Sequence, residues 1–299
     1  MILTARIPQE HEGLRLDDGC RALFPQLSKG EIRRIIDLGG CAVNAVMVRV
    51  ASRLLRAGDE VTIGVMERER FVDVRYTAGD LLYEDPEFLA VNKEAGINSQ
   101  RTPYQLKGTV EYAVGVYLRE QGSKEPARVI HRLDRGTSGV MFFPRNKPAA
   151  TYLAGLFKDG KVGKVYWALV SGIVDEESWE MDAPIAKLNK FRYGVGLPGK
   201  PARTRFRVLA RSGSATLVEA RPLTGRTHQI RVHLTHTGLP IIGDPPYGGA
   251  PADRMMLHCR TMSFTARGGR HIAATAPPDP AFLAICAKEG IVLPETPDP

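Results

Sequence analysis

A nine-residue polar string, His131-Arg-Leu-Asp-Arg-Gly-Thr-Ser-Gly139, divides an apolar stretch, with Val129 and Ile130 before it and Val140, Met141, Phe142 and Phe143 after it. Short apolar runs bounded by turn residues read as buried strands. The pattern therefore predicts two short buried strands flanking a polar loop, an arrangement that holds the loop side chains in place. Within the loop, Asp134 lies between Arg132 and Arg135. Guanidinium neighbours favour an ionised carboxylate, which suits a nucleophile better than a general acid. Gly136, Thr137, Ser138 and Gly139 add turn geometry and hydroxyl groups that can fix the loop. A protein-kinase catalytic loop also begins His-Arg, but here Leu133 separates Arg132 from Asp134, and neither Asp-Phe-Gly nor a glycine-rich nucleotide loop follows.

The chain has 299 residues, enough for one substantial core and a smaller second one, since domains commonly run about 100 to 200 residues. Two domains are expected. The first region carries a rough helical stripe at Leu14, Leu16, Cys20, Leu23 and Phe24 that ends at Pro25. A second helix starts at Ser28, where Ser28 and Glu31 form a Ser-x-x-Glu capping box. Ile32, Ile35 and Ile36 give its buried stripe, and Gly39 supplies a left-handed C-terminal cap. Strand patterning follows: Val43, an Asn44-Ala45 turn, then Val46, Val48 and Val50, and after a Gly58-Asp59 turn Val61 and Ile63. Two helices thus precede a small sheet. Between Ser28 and Arg56, Lys29, Arg33, Arg34, Arg49, Arg53 and Arg56 stand against only Glu31 and Asp37, a bias that fits either a solvated face or a phosphate-contacting surface. The alternating charges Glu67, Arg68, Glu69 and Arg70 mark a linker over residues 66–80, between a domain at 1–65 and another at 81–299.

The formal net charge of +8 favours a polyanionic partner. Cys20, Cys41, Cys259 and Cys286 are far apart and form no CxxC pair, so neither a disulfide framework nor a zinc ribbon is signalled, and a reducing compartment fits. The N-terminus lacks a long apolar signal region and no run approaches the roughly 18 apolar residues of a membrane span, so a cytoplasmic protein with no membrane partner is expected.

In the second domain, 81–83 and 88–91 read as strands around a Glu84-Asp85-Pro86-Glu87 turn, 109–120 as a helix, and a further helix carries Leu153, Leu156 and Phe157 and ends at Gly160. A strand at 164–172 alternates two faces, with Lys164, Tyr166, Ala168 and Val170 on one. The glycine-rich segment 192–201 reads as a flexible excursion without phosphate-loop spacing, and strands resume at 203–210 and 216–221. Thr227 is a plausible N-cap for a helix over 228–237. Arg226 and Arg231 then oppose the helix dipole by about 0.3 to 1 kcal/mol each, which an anionic partner nearby would offset. His228, His233 and His236 lack the i, i+4 spacing of a zinc helix and have no Cys or Glu to complete a set, so no metal is expected.

Three strings together resemble the RluA-type RNA pseudouridine synthases: the central His131 to Gly139 motif, Lys164-x-Tyr166-x-Ala-x-Val-x-Gly172, and Thr224-Gly-Arg-Thr-His-Gln-Ile-Arg-Val-His-Leu234. Gly243-Asp-Pro-Pro-Tyr-Gly248 and Leu257-His258 are similar to the family's downstream segments, which shape its pocket. Lys93 and Gly96 match the family's first motif, usually Lys-Pro-x-Gly, while Glu94 replaces the proline and Ser99-Gln100 replaces His-Pro. Residues 14–63 resemble the small RNA-binding domain named after ribosomal protein S-four, with Lys29 where arginine is usual and Ala45 where glycine is usual.

The resemblance implies an α+β chain, with a mixed, largely antiparallel sheet in the catalytic domain and a small N-terminal α/β RNA-binding domain. It implies isomerisation of uridine in structured RNA without cofactor or metal, with large-subunit ribosomal RNA favoured over transfer RNA; a monomer is the default expectation. Asp134 is then the essential catalytic residue, Arg231 its ionic partner, and Tyr166 the ring that stacks on the base. Arg132 would occupy the gap left by the flipped nucleotide. Lys164 and Arg226 are further substrate contacts, and Lys29, Arg33 and Arg34 belong to the RNA-facing surface of the first domain. A non-catalytic RNA-binding or ribosome-assembly factor on the same fold is the competing class. A glycoside hydrolase is weaker, because no second carboxylate is evidently paired with Asp134.

Overall fold

The computed structural model describes residues 2–64, 74–102, 105–189 and 192–294; the charge run at 67–70 and most of the expected linker lie outside them. The chain divides into two units, residues 1–76 with 97–127, and residues 77–96 with 128–299. Residues 97–127, which the sequence reading assigns to the second domain, thus group with the first unit.

The first unit is built on two capped helices and a four-stranded sheet: β1 (Ile2–Arg6), α1 (Leu16–Leu23), α2 (Lys29–Asp37), β2 (Cys41–Val43), β3 (Val46–Met47) and β4 (Glu60–Gly64), with α3 (Val110–Glu120) in the later segment. The Ser28 and Glu31 capping box opens α2, and Gly39 ends it at φ +83°. Thr109, rather than any apolar neighbour, caps α3 through the amide of Tyr112. The sheet order is β1-β4-β2-β3, all antiparallel. Asn44 and Ala45 make the two-residue hairpin, both with positive φ, a twist that suits tight antiparallel pairs. Leu16, Cys20, Ile32, Ile36, Val61 and Ile63 form the core.

Two details differ from the sequence reading. A strand precedes the helices: β1 is an edge strand that is at most half-buried, with Leu3 and Ala5 against the core, too short and too little buried to be read as a strand from its pattern. The Val46, Val48, Val50 alternation stops at Met47, and Val50 is exposed.

The second unit centres on a nine-stranded sheet. Its elements are β5 (Leu81–Glu84), β6 (Phe88–Lys93), β7 (Ser138–Pro144), α4 (Lys147–Lys158), β8 (Gly163–Ser171), β9 (Ser178–Asp182), β10 (Ile185–Lys187), β11 (Tyr193–Val195), β12 (Arg203–Arg211), β13 (Ala215–Pro222), α5 (Gln229–His236), β14 (Leu257–Thr265), β15 (His271–Thr275) and α6 (Pro280–Lys288). The order is β5-β6-β7-β14-β8-β13-β12-β9, with β15 on β14, while β10 and β11 form a separate ribbon. Every pairing in the large sheet is antiparallel except β7 with β14. The expected α+β architecture with a mixed, largely antiparallel sheet is therefore present.

Only one of the two strands expected beside the polar loop forms. All seven residues of β7 are buried, but Val129 and Ile130 are half-buried and irregular. The next residue, His131, turns its Nε2 to accept the Phe142 amide on β7 at 3.0 Å. The glycine-rich excursion is also partly ordered, since Tyr193 to Val195 pair with β10. Finally, α5 starts one residue late. His228, not Thr227, is its N-cap and makes no side-chain cap. Gln229 organises the turn instead: its Oε1 accepts from the Arg226 amide at 2.9 Å and from the Thr224 hydroxyl at 2.7 Å.

The parallel pairing of β7 with β14 is the point at which the polar loop enters the sheet. Gly139 lies opposite Cys259 with φ +113°, and a Cβ there would sit 2.1 Å from the Cys259 carbonyl oxygen. Neither backbone can yield without breaking the pairing. Gly139→Ala is expected to cost at least about 3 kcal/mol in urea unfolding; a loss below about 1 kcal/mol would show that the pairing relaxes freely.

Candidate active site

The loop before β7 is held by its backbone. The Thr137 amide closes a turn onto the Asp134 carbonyl at 3.0 Å. Lys93, at the end of β6 and fully buried, donates to the carbonyls of Glu94 at 2.9 Å, Arg135 at 3.1 Å and Thr137 at 2.6 Å. Gly96 and Arg135 add a reciprocal pair, with the Gly96 amide on the Arg135 carbonyl at 2.7 Å and Arg135 Nε on the Gly96 carbonyl at 2.8 Å. Burial and the nearby Arg254 guanidinium lower the Lys93 pKa to about 7.

Beneath β7 a buried relay fixes Ser138. Arg254 Nη2 donates to Ser138 Oγ at 2.8 Å, Ser138 bonds His258 Nδ1 at 2.7 Å, and His258 Nε2 lies 3.0 Å from the Ala276 carbonyl. Since only Nε2–H can satisfy that carbonyl, Nδ1 of a neutral ring accepts the Ser138 proton, and burial lowers the His258 pKa to about 4. Arg254 also pairs with Asp279 at the start of α6.

Asp134 projects from this loop toward α5. Arg231 Nη1 donates to its Oδ2 at 2.9 Å. The rest of the guanidinium is occupied: Nε and Nη2 hold the two oxygens of buried Asp244 at 2.7 and 2.8 Å, and the Tyr247 ring lies 4.7 Å from its Cζ. Burial opposes the charge on Arg231, but the bonds to Asp244 and the charge of Asp134 outweigh it and raise its pKa. The partner of Asp134 is therefore Arg231, from a distant helix. Of its sequence neighbours, Arg135 turns to Gly96 as described, and Arg132 forms no ion pair among the described residues.

Asp134 opens into a cavity of about 580 Å³ within the second unit, lined also by Arg132, Lys164, Tyr166, Arg226, His228 and Arg231. Asp134, Arg132, Lys164, Tyr166, Arg226 and Arg231, the six residues given catalytic or substrate roles in this part of the sequence, thus meet at one place. Tyr166 comes from β8, where it lies opposite Cys259 and Ala220, and burial pushes its hydroxyl well above the usual range. Lys164, two residues earlier on the same face, donates to the Thr224 carbonyl at 3.1 Å, and burial lowers its pKa. Arg226 is exposed, its Nε on the Pro201 carbonyl at 2.8 Å. Arg132 is exposed at the cavity wall.

Lys29, Arg33 and Arg34 are exposed on α2 of the first unit. Lys29 pairs with Asp18 at 2.5 Å and Arg33 with buried Asp17 at 2.6 Å, so two of these cations are partly neutralised by their own helix layer. Among the described residues no cluster of three His, Cys, Asp or Glu is placed to hold a metal. No described helix is long and apolar enough to cross a membrane.

Sequence reasoning gives no individual role to four residues that the geometry makes important: Lys93, Asp244, His228 and Tyr247. The first motif did mark Lys93, but only its burial beneath three carbonyls shows its job. Asp244 and Tyr247 sit in a segment recognisable as pocket-shaping, while their contact with Arg231 spans a turn that no local pattern encodes.

Residues 87–236 match the family model for RNA pseudouridylate synthases. The chain is 33% identical to ribosomal large subunit pseudouridine synthase C of Escherichia coli, over 91% of this chain and 92% of that one. It is 34% identical to an uncharacterized RNA pseudouridine synthase of Aquifex aeolicus, over 83% of this chain and 80% of that one. Among solved structures, human RNA pseudouridylate synthase domain containing 1 aligns with a TM-score of 0.56 at 28% identity, covering 67% of this chain and 83% of that one. Human RNA pseudouridylate synthase domain containing 4 shares the fold at a TM-score of 0.63 and 23% identity, covering 73% of this chain and 95% of that one. Fold and matches together define the class as RNA-modifying isomerases. The chain belongs to the RNA pseudouridylate synthase family.

The depressed pKa of Lys93 has a measurable sign. Its native value near 7 lies below the ordinary 10.5, so between these values the unfolded chain binds more protons and stability rises with pH. Relative to Lys93→Met, the parent protein is expected to gain stability between pH 7 and pH 9, read by urea unfolding at each pH, although the three carbonyl acceptors favour the ammonium and oppose part of that gain. Parallel curves would mean that Lys93 remains charged in the fold.

Proposed function

We propose that this enzyme converts a uridine of large-subunit ribosomal RNA to pseudouridine, with Asp134 as the catalytic residue. The observation that carries the site assignment is the 2.9 Å bond from Arg231 to Asp134 at the mouth of a cavity walled by Tyr166. The choice of RNA is supported by the names of the relatives, several of which are ribosomal large subunit pseudouridine synthases.

In this reading a structured RNA extrudes the target uridine, because its glycosidic bond is inaccessible within a stack. Tyr166 stacks on the base, and Arg132 takes the place vacated in the RNA. Asp134 attacks or stabilises C1′ as the bond to N1 breaks, the uracil turns, and C5 rejoins C1′. The C5 proton is lost and N1 gains one, so the atoms of substrate and product are the same and no oxidant or cofactor is invoked. Arg231 keeps the carboxylate aimed. Asp244, by occupying the other edge of the guanidinium, fixes the direction of that aim. Lys164 and Arg226 border the base pocket and phosphate path. Lys29, Arg33 and Arg34, on a module read as S-four-like, add contacts to phosphate rather than to base edges. We place the enzyme in the cytoplasm as a monomer, where ribosomal RNA is met.

Pseudouridines mapped by carbodiimide modification and primer extension test this in cells with the gene, without it, and with Asp134→Asn. Loss of the same large-subunit position in both altered strains is expected. A site retained with Asp134→Asn but lost on deletion would remove Asp134 from the chemistry. Loss confined to transfer RNA would correct the substrate, and an unchanged map in both strains would favour a non-catalytic RNA-binding role.

A further inference from the structure

His228 has no part in the scheme above, yet its position is unusually determined. It precedes α5 with φ +58° and ψ 20°, in the left-handed region that non-glycine residues rarely occupy and that clusters at functional sites. Its ring stands edge-on to Tyr193, 5.4 Å between centroids, and to Tyr247, 5.6 Å. Those neighbours also determine where its proton is. The amide of Tyr193 donates to the Tyr247 hydroxyl oxygen at 3.0 Å, which leaves the hydroxyl proton for His228 Nδ1 at 2.8 Å. A neutral ring that accepts at Nδ1 carries its proton on Nε2, and burial favours the neutral ring by lowering its pKa.

The Nε2 atom lies on the cavity side, 3.8 Å from Asp134 Oδ2. That separation is too long for a hydrogen bond, and Nε2 has no acceptor among the described residues. The protein thus holds an N–H donor, oriented by a tyrosine and by a strained backbone, beside the carboxylate assigned to the ribosyl centre.

We propose that His228 Nε2–H donates a hydrogen bond to a carbonyl oxygen of the uracil while the base is detached. The inference rests on the uridine-isomerising reading of the site. When the N1–C1′ bond breaks, its electron pair stays with the base, and an Asp134 oxygen takes up C1′. The base is then an anion whose charge is shared between N1 and the two carbonyl oxygens. After the base turns, C5 bonds to C1′ and returns the electron pair of the ester to the carboxylate. Loss of the C5 proton and gain of one at N1 complete the product. His228 gives up no proton at any stage. A donor fixed in advance where charge develops needs no reorganisation when the bond breaks.

The test compares two amides. Asparagine suits the left-handed backbone, but its amide reaches only as far as Nδ1 and withdraws the donor from the cavity. Glutamine, one methylene longer, returns an N–H to the Nε2 position. Both variants are assayed by tritium release from an in vitro transcript of large-subunit ribosomal RNA labelled with [5-³H]uridine, with thermal unfolding to check that each is folded and Asp134→Asn as the inactive control. His228→Asn is expected to lower kcat about a hundredfold with KM within about twofold, and His228→Gln to stay within about fivefold of the parent. Parental turnover in His228→Asn, or equal loss in both folded variants, overturns the donor assignment while leaving the assigned reaction intact. No release by the parent enzyme overturns the ribosomal RNA reading and this inference with it.

Discussion

Arg231 is the ion on which the site is assembled. A guanidinium that is almost wholly buried is costly unless every edge of it is matched. Here Asp244 takes two donors, Asp134 takes a third, and the Tyr247 ring covers a face. The arrangement is asymmetric in a useful way. Asp244 is buried and doubly bonded, so it behaves as the permanent counter-ion. Asp134 receives one bond and keeps its second oxygen for the cavity. One arginine therefore serves a structural carboxylate and a reactive one, and the bidentate side sets the orientation of the other.

The frame that meets Arg231 is made mostly of backbone. The loop carrying Asp134 is pinned from within by Lys93 and from below by the Arg254, Ser138 and His258 relay, and it enters the sheet at the parallel pairing of β7 with β14. Parallel pairing there needs Gly139, because the Cys259 carbonyl occupies the place of any Cβ. Two rigid elements thus converge: a strand start fixed to β14, and a helix start fixed by Gln229. Asp134 and Arg231 meet where they do because neither can move independently of the sheet.

Local features of the fold were readable wherever one residue type answers one local need. The Ser28 and Glu31 box, the Gly39 cap, the Asn44-Ala45 hairpin and the two-faced strand holding Lys164 and Tyr166 all belong to that class. Pattern is overridden where tertiary contacts compete with it. Val129 and Ile130 look like a strand but stay irregular next to a histidine that bonds to β7. Thr227 looks like a helix cap, but the Gln229 side chain performs the turn's bonding. At the site, motif resemblance brings Asp134, Tyr166 and Arg231 together across 97 positions of chain, which no periodicity can do. The roles of Lys93 and Asp244 stayed hidden because burial is their signal.

Lys93 grips carbonyl oxygens, a group that all residues possess. The family's usual proline after this lysine is glutamate here, yet Glu94 presents the same oxygen to Lys93 at 2.9 Å. The three bonds of the clasp use no side chain at 94, 135 or 137, so what they require first is the chain path. Such a joint can lose its familiar spelling and still close, which separates the legibility of a motif from the integrity of the machinery that it names.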